Sequence, residues 1–175
     1  MTKKPPVDRH RLGAVSKAQG KIFEDRLSAA FDYYRERGLA SVDKTPEPMK
    51  VLKSIGQGRF MCCFEKKAQP DFTGTVRGGR SVMFEAKFTA SDRMEQNRVL
   101  PQQADYLTRH QALGARCYVL AGFSTGHVYR IPWSIWAEMK QRFGRKYVRE
   151  ADLEIFLVPV ENGRLKLLSR KELTK

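Results

Sequence analysis

Two acidic residues and one lysine carry the chemistry this chain could do. Asp71 stands in the string QPDFTG at 69–74, and Glu85 and Lys87 stand in FEAKFT at 84–89, each among β-prone neighbours. The pair Gly78-Gly79 between them suits a chain reversal at positive φ. The spacing therefore predicts two antiparallel strands joined by a tight turn, with the aspartate on the first and Glu85-Ala86-Lys87 on the second. Strand side chains alternate between faces, so Glu85 and Lys87 project on the same side. With Asp71 across from them, two carboxylates and an ammonium converge on one small volume.

Hydrolysis of a phosphodiester needs a nucleophilic water, charge relief at the phosphoryl oxygens and stabilisation of the leaving oxygen. A hard divalent cation on one or two carboxylates supplies all three. Asp71 and Glu85 are the candidate ligands. Lys87 is the candidate to orient or deprotonate the water, or to stabilise developing negative charge. A cross-strand ion pair on an exposed sheet face uses the same residue types and contributes little. On periodicity alone that plainer alternative is favoured.

The chain that must position these groups has 175 residues, enough for one compact domain with a core of its own. Lysine and arginine number 33 against 19 acids, and 33 − 19 gives a net charge of +14. With a pI near 10.0, the partner expected is a polyanion: nucleic acid first, an acidic membrane surface second. No apolar run approaches the roughly 20 residues of a spanning helix, and MTKKPP at 1–6 does not lead into the apolar stretch of a signal peptide. Cys62, Cys63 and Cys117 are odd in number and lie in apolar, strand-like surroundings. They read as small core residues in a reducing cytosol, not as a disulfide or zinc framework.

Residues 1–15, with Lys3, Lys4, Arg9 and Arg11, read as a flexible basic arm, and 16–175 as a single domain. Ser16 to Gln19 fits a capping box, and Phe23, Leu27, Ala30, Phe31 and Tyr34 recur at helical spacing up to Gly38. Glu24 falls at the margin of that buried face, where a surface glutamate is the plain alternative. A short strand is expected over 39–44, then a positively charged excursion, a projecting hairpin, with Lys50, Lys53 and Arg59. A polar loop is expected over 90–98. A second helix opens at Leu100-Pro101 with Gln103, Leu107 and His110 on one side. Residues 117–123 are the candidate buried central strand, with 126–131 as its neighbour. A third helix follows from Pro132, with Trp133, Trp136, Ala137 and Phe143 on one face, the tryptophans read as core. A strand is expected over 153–160, and Asn162-Gly163 is a type I′ hairpin signal before Leu165 and Leu167. Together this is a mixed sheet flanked by helices, an α/β domain.

The string Pro70-Asp71 followed by Glu85-Ala86-Lys87 is similar to the PD-(D/E)xK arrangement of the restriction-endonuclease-like nucleases. The likeness extends further. The chain resembles the RecU-type Holliday-junction resolvases over most of 16–135, through Gly20 and Glu24, Tyr33-Tyr34, Gly38-Leu39-Ala40, Lys44 to Pro48, Gln69 to Gly74, Phe84 to Thr89, and Gln103 with Leu107. That resemblance implies a restriction-endonuclease-like fold with a projecting basic stalk at about 49–68. It implies a homodimeric, Mg²⁺- or Mn²⁺-dependent endonuclease that places paired nicks in a four-way DNA junction, working in the cytoplasm. By the same resemblance Asp71 and Glu85 bind metal, Lys87 is catalytic, Gln103 assists, and Glu24 sits close to the metal. Lys44, Lys53, Arg59, Lys66 and Lys67 fall to DNA binding. Pro70 departs from the family, which carries a hydroxyl residue there, and the small size suits a phage-encoded member.

Two rival readings stay open: a nuclease of the same fold acting on flaps or plain duplex, and a non-catalytic DNA-binding protein. The intact trio of Asp71, Glu85 and Lys87 argues against the second.

Overall fold

The computed structural model describes residues 9–65 and 69–173. Lys66 and Lys67 and the first eight residues of the expected arm lie outside the described residues. Helix α1, Arg9–Glu36, is followed by β1, Ala40–Lys44, and by an antiparallel ribbon of β2, Met49–Gly56, with β3, Arg59–Phe64. Then come β4, Phe72–Val76, and β5, Ser81–Thr89, joined by a turn in which Gly78 and Gly79 adopt φ of 91° and 82°. Residues with a Cβ adopt such angles at a cost, which is why the sequence has glycine at both places. The short strand β6, Met94–Glu95, precedes α2, Pro101–Ala112, β7, Arg116–Phe123, and β8, Val128–Pro132. Two single-turn helices follow, α3, Trp133–Ala137, and α4, Met139–Phe143; β9, Tyr147–Val148, pairs with β6. The chain ends in the hairpin β10, Val160–Glu161, and β11, Arg164–Leu165, and in α5, Arg170–Leu173.

Five strands form the main sheet in the order β1-β4-β5-β7-β8. β5 is antiparallel to β4, with Phe72 opposite Phe84, and parallel to β7, with Glu85 opposite Val119 and Lys87 opposite Ala121. Its apolar residues separate cleanly by face. Val82, Phe84 and Ala86 pack with Phe23, Leu27, Phe31 and Tyr34 of α1, while Met83 packs with Leu107, Val119, Trp133 and Trp136 on the other side. Burial of each such large side chain contributes about 1.5–3 kcal/mol. The sheet is thereby clamped between two apolar layers, and β5 is fixed between two strands and two layers. That is the rigidity a site on β5 requires.

The expected mixed α/β architecture, the projecting hairpin, the buried strand over 117–123 and the buried tryptophans are all present. Six local expectations are corrected. α1 starts at Arg9, upstream of the Ser16 capping box, because no strong helix breaker separates the two positions. Asp71 sits one residue ahead of β4 instead of inside it. The loop over 90–98 contains β6 and a 3₁₀ turn. The third helix breaks at Glu138, so Ala137 turns to solvent and Met139 takes the buried place. The alternating run at 153–160 forms a 3₁₀ turn over Glu154–Phe156 and a single bridge from Leu157 to Tyr129, and becomes strand only at Val160, the first residue of β10. Pro159 has no N–H to give a ladder there. Cys62 and Cys63 are exposed on β3; only Cys117 is buried. The terminal turn has Asn162 and Gly163 at φ of 51° and 74°, as a type I′ hairpin requires.

Candidate active site

Asp71 and Glu85 reach the same point by different routes. The backbone N–H of Thr45, just past the end of β1, donates to the Asp71 carbonyl at 2.9 Å. The Asp71 carboxylate Oδ2 accepts from the N–H of Ala86 at 2.8 Å, which places it beside the middle of β5. Glu85 points from β5 into the α2-side layer and is fully buried, at 0% exposure. Lys87, two residues on and on the same face, donates its Nζ to Glu85 Oε1. The ammonium is mostly covered as well, so this is no exposed ion pair on a sheet surface.

The electrostatics follow from that burial. Desolvation pushes the Glu85 carboxyl up to about 8; the charge of Asp71 adds to the rise and the Lys87 ammonium opposes it without prevailing. Lys87 covers only one oxygen. Among the described residues Glu85 Oε2 is buried and has no hydrogen-bond partner. An isolated buried carboxylate oxygen is expensive. The atoms present therefore fit a hard divalent cation: two carboxylates, one with an oxygen left over, in a site where positive charge would lower the cost of ionising Glu85. No group of three or more His, Cys, Asp or Glu able to hold a metal occurs among the described residues. The protein's contribution is thus the Asp71–Glu85 pair, a number of carboxylates that suits Mg²⁺ with its retained waters.

The other residues singled out from the sequence fall around this centre in varied ways. Gln103 is buried near the start of α2, in the layer that Glu85 faces, and its Oε1 accepts the Leu100 N–H at 3.1 Å, capping the helix. Glu24 stands on α1, against the opposite face of the sheet, and pairs with Lys44 at 2.7 Å. Lys44 also feels the field of Asp71, so the two groups form a charged fringe beside the pair. Lys53 and Arg59 lie on the β2–β3 ribbon, every residue of which is exposed. Spacing does not single out Thr45, whose only signal is a hydroxyl between Lys44 and Pro46 at the strand end.

A sheet that brings a carboxylate at the entry to β4 beside a buried carboxylate and a lysine on β5, with a basic ribbon between β1 and β4, is an arrangement whose chemistry suits phosphodiester hydrolysis. The family profile described as "RecU: Recombination protein U" matches residues 18–169, and the chain belongs to that family. A Holliday junction resolvase RecU of Geobacillus kaustophilus (strain HTA426) is 27% identical over 146 residues, covering 78% of this chain and 72% of that one. Another, of Streptococcus pneumoniae (strain Taiwan19F-14), is 29% identical over 150 residues, covering 78% and 75%. The solved structure of Hjc, a Holliday junction resolvase from Archaeoglobus fulgidus, superposes with a TM-score of 0.47 and 14% identity, over 78% of this chain and 88% of that one. No helix among the described residues is long and apolar enough to cross a membrane.

Proposed function

We propose that this protein is a divalent-metal-dependent endonuclease that resolves four-way DNA junctions by paired nicking, as a homodimer in the cytoplasm. The observation that carries the reading is Glu85: wholly buried beside Asp71, one oxygen on Lys87 and the other without a partner, in a chain of the RecU family. A surface ion pair explains none of those features.

Asp71 and Glu85 would hold Mg²⁺, with Mn²⁺ able to substitute; bound there, the cation relieves charge at the phosphoryl oxygens and favours attack by water. The Ala86 N–H fixes the rotamer of Asp71 through Oδ2. Lys87 favours the ionised form of Glu85, which a bound cation would complete, and places its ammonium where negative charge grows during attack. Gln103, rooted at the helix start, lines the same layer and assists from there. Glu24 and Lys44 shape the field at the edge of the site. Lys53 and Arg59 on the ribbon, with Lys66 and Lys67 beyond it, supply phosphate contacts.

Incubation with labelled four-way junction, flap and linear duplex, with and without Mg²⁺, tests the reading. Symmetric, Mg²⁺-dependent nicks in the junction alone are expected. Cutting of all three substrates would make the protein a general nuclease, and cutting of none would make it a binding protein.

A further inference from the structure

Three buried side-chain polar atoms among the described residues have no hydrogen-bond partner: Glu85 Oε2, Thr45 Oγ1 and Arg145 Nε. Two of the three are tied to Asp71. Glu85 adjoins it through Ala86, whose N–H holds the Asp71 carboxylate, and Thr45 adjoins it through its own N–H on the Asp71 carbonyl. Thr45 is only 6% exposed. Its backbone is constrained twice, by that hydrogen bond and by Pro46, which holds a preceding residue in extended geometry. A threonine hydroxyl at a strand end ordinarily turns to a backbone group or to water. This one is fixed, enclosed and unpaired, next to a carboxylate pair that has an unpaired oxygen of its own.

We propose that Thr45 is a positioning residue of the cation site: its hydroxyl supports, by hydrogen bonding, the hydration of a divalent ion held by Asp71 and Glu85. A hydroxyl both donates and accepts, so it can serve a water that the two carboxylates alone leave unsupported. Such outer partners of a metal site typically change cation affinity by about 10–100-fold when removed. The site would therefore be built from three places: the end of β1, the entry to β4 and the centre of β5. The β2–β3 ribbon springs from between the first two, so Thr45 would tie the ribbon's base to the cation.

The inference rests on the cation-dependent reading above, and Mn²⁺ binding to the full-length, DNA-free protein tests both separately. Thr45→Val keeps shape and removes the hydroxyl; Thr45→Ser keeps the hydroxyl. Mn²⁺ affinity, read by the spin-resonance signal of the free ion, is expected to fall about tenfold or more in Thr45→Val and to return in Thr45→Ser. The thermal midpoint of metal-free Thr45→Val should equal or exceed that of the parent, since no hydrogen bond is lost. Unchanged Mn²⁺ affinity in Thr45→Val overturns the proposal. So does a variant whose only defect is a raised KM for the junction, because the hydroxyl then serves the phosphate. A parent protein that binds no Mn²⁺ sinks the cation-dependent reading as a whole, whatever Thr45 does.

Discussion

Two buried glutamates show what sets the candidate site apart from the rest of the molecule. Glu172, on the terminal helix α5, is 4% exposed and fully engaged. Its Oε1 accepts from Tyr118 Oη at 2.8 Å and lies 3.3 Å from Arg116; its Oε2 accepts from Arg130 at 2.6 Å and from the Ser169 N–H and hydroxyl at 2.7 and 2.6 Å. Burial works to raise its pKa, yet the Ser169 hydroxyl and N–H, Arg130 and Tyr118 outweigh it and hold the carboxyl at about 2. Glu85 is as deeply buried, has one oxygen on Lys87 and the other orphaned beside the charge of Asp71, and is pushed up to about 8. Burial is common to both. Satisfaction differs: the first carboxylate is a rivet that fastens α5 to β7 and β8, and the second leaves an oxygen without a hydrogen bond, at a cost in stability.

The sharpest way to break this contrast is to remove each carboxylate in turn. Glu85→Ala should reduce junction cutting on the order of a thousandfold or more, measured in single-turnover reactions, while leaving junction binding largely intact. An equal loss of binding would contradict the ligand role. Glu172→Gln should do the reverse. It leaves Arg130 and Arg116 facing a neutral amide, so stability should fall by about 3 kcal/mol, roughly 6–12 °C in Tm. Cutting at low temperature should persist.

The pH dependences should have opposite signs. Glu172 titrates near 2 when folded, below its ordinary 4.5, so its contribution is present above 4.5 and is lost as pH falls toward 2. Glu85 titrates near 8, above 4.5. Its contribution is present at low pH and is lost as pH rises from 4.5 through 8. Denaturant midpoints across pH should therefore fall on both sides of a maximum. Glu172→Gln should flatten the acid limb, and Glu85→Gln the alkaline one. The smallest effect concerns the ribbon: replacing 49–64 by a short Gly-Ser linker should change stability by no more than about 1 kcal/mol, since a lone two-stranded hairpin contributes little to a fold. Salt-dependent affinity for the junction should nevertheless weaken, because cationic contacts are removed.

Much of this was legible in the residues themselves. Alternation fixed the shared face of Glu85 and Lys87, the Gly78-Gly79 pair marked the β4–β5 turn, and the helical recurrence from Phe23 to Tyr34 marked the buried face of α1. Short-range pattern failed where a distant part of the chain decides the outcome. The run at 153–160 alternates like a strand, but Pro159 and the lone bridge from Leu157 to Tyr129 decide its form. Cys62 and Cys63 look like core residues, and only the isolation of their ribbon from the main sheet leaves them exposed. The only local signal at Glu172 is its capping-box spacing from Ser169, since its other partners arrive from β7 and β8. Likewise the trio at 71, 85 and 87 could be read from spacing as a group, whereas the orphaned Glu85 oxygen and the buried Thr45 hydroxyl depend on enclosure by elements far away in sequence.

The central claim is that the unpartnered oxygen of Glu85 is kept for a cation. The most direct measurement is thermal stability at pH 8.5 as Mg²⁺ or Mn²⁺ is added, for the parent and for Glu85→Gln. The parent should gain about 2.7 kcal/mol at a hundredfold excess over Kd, and Glu85→Gln, already more stable without metal, should gain almost nothing. Equal stabilisation of both proteins, or of neither, would contradict the account.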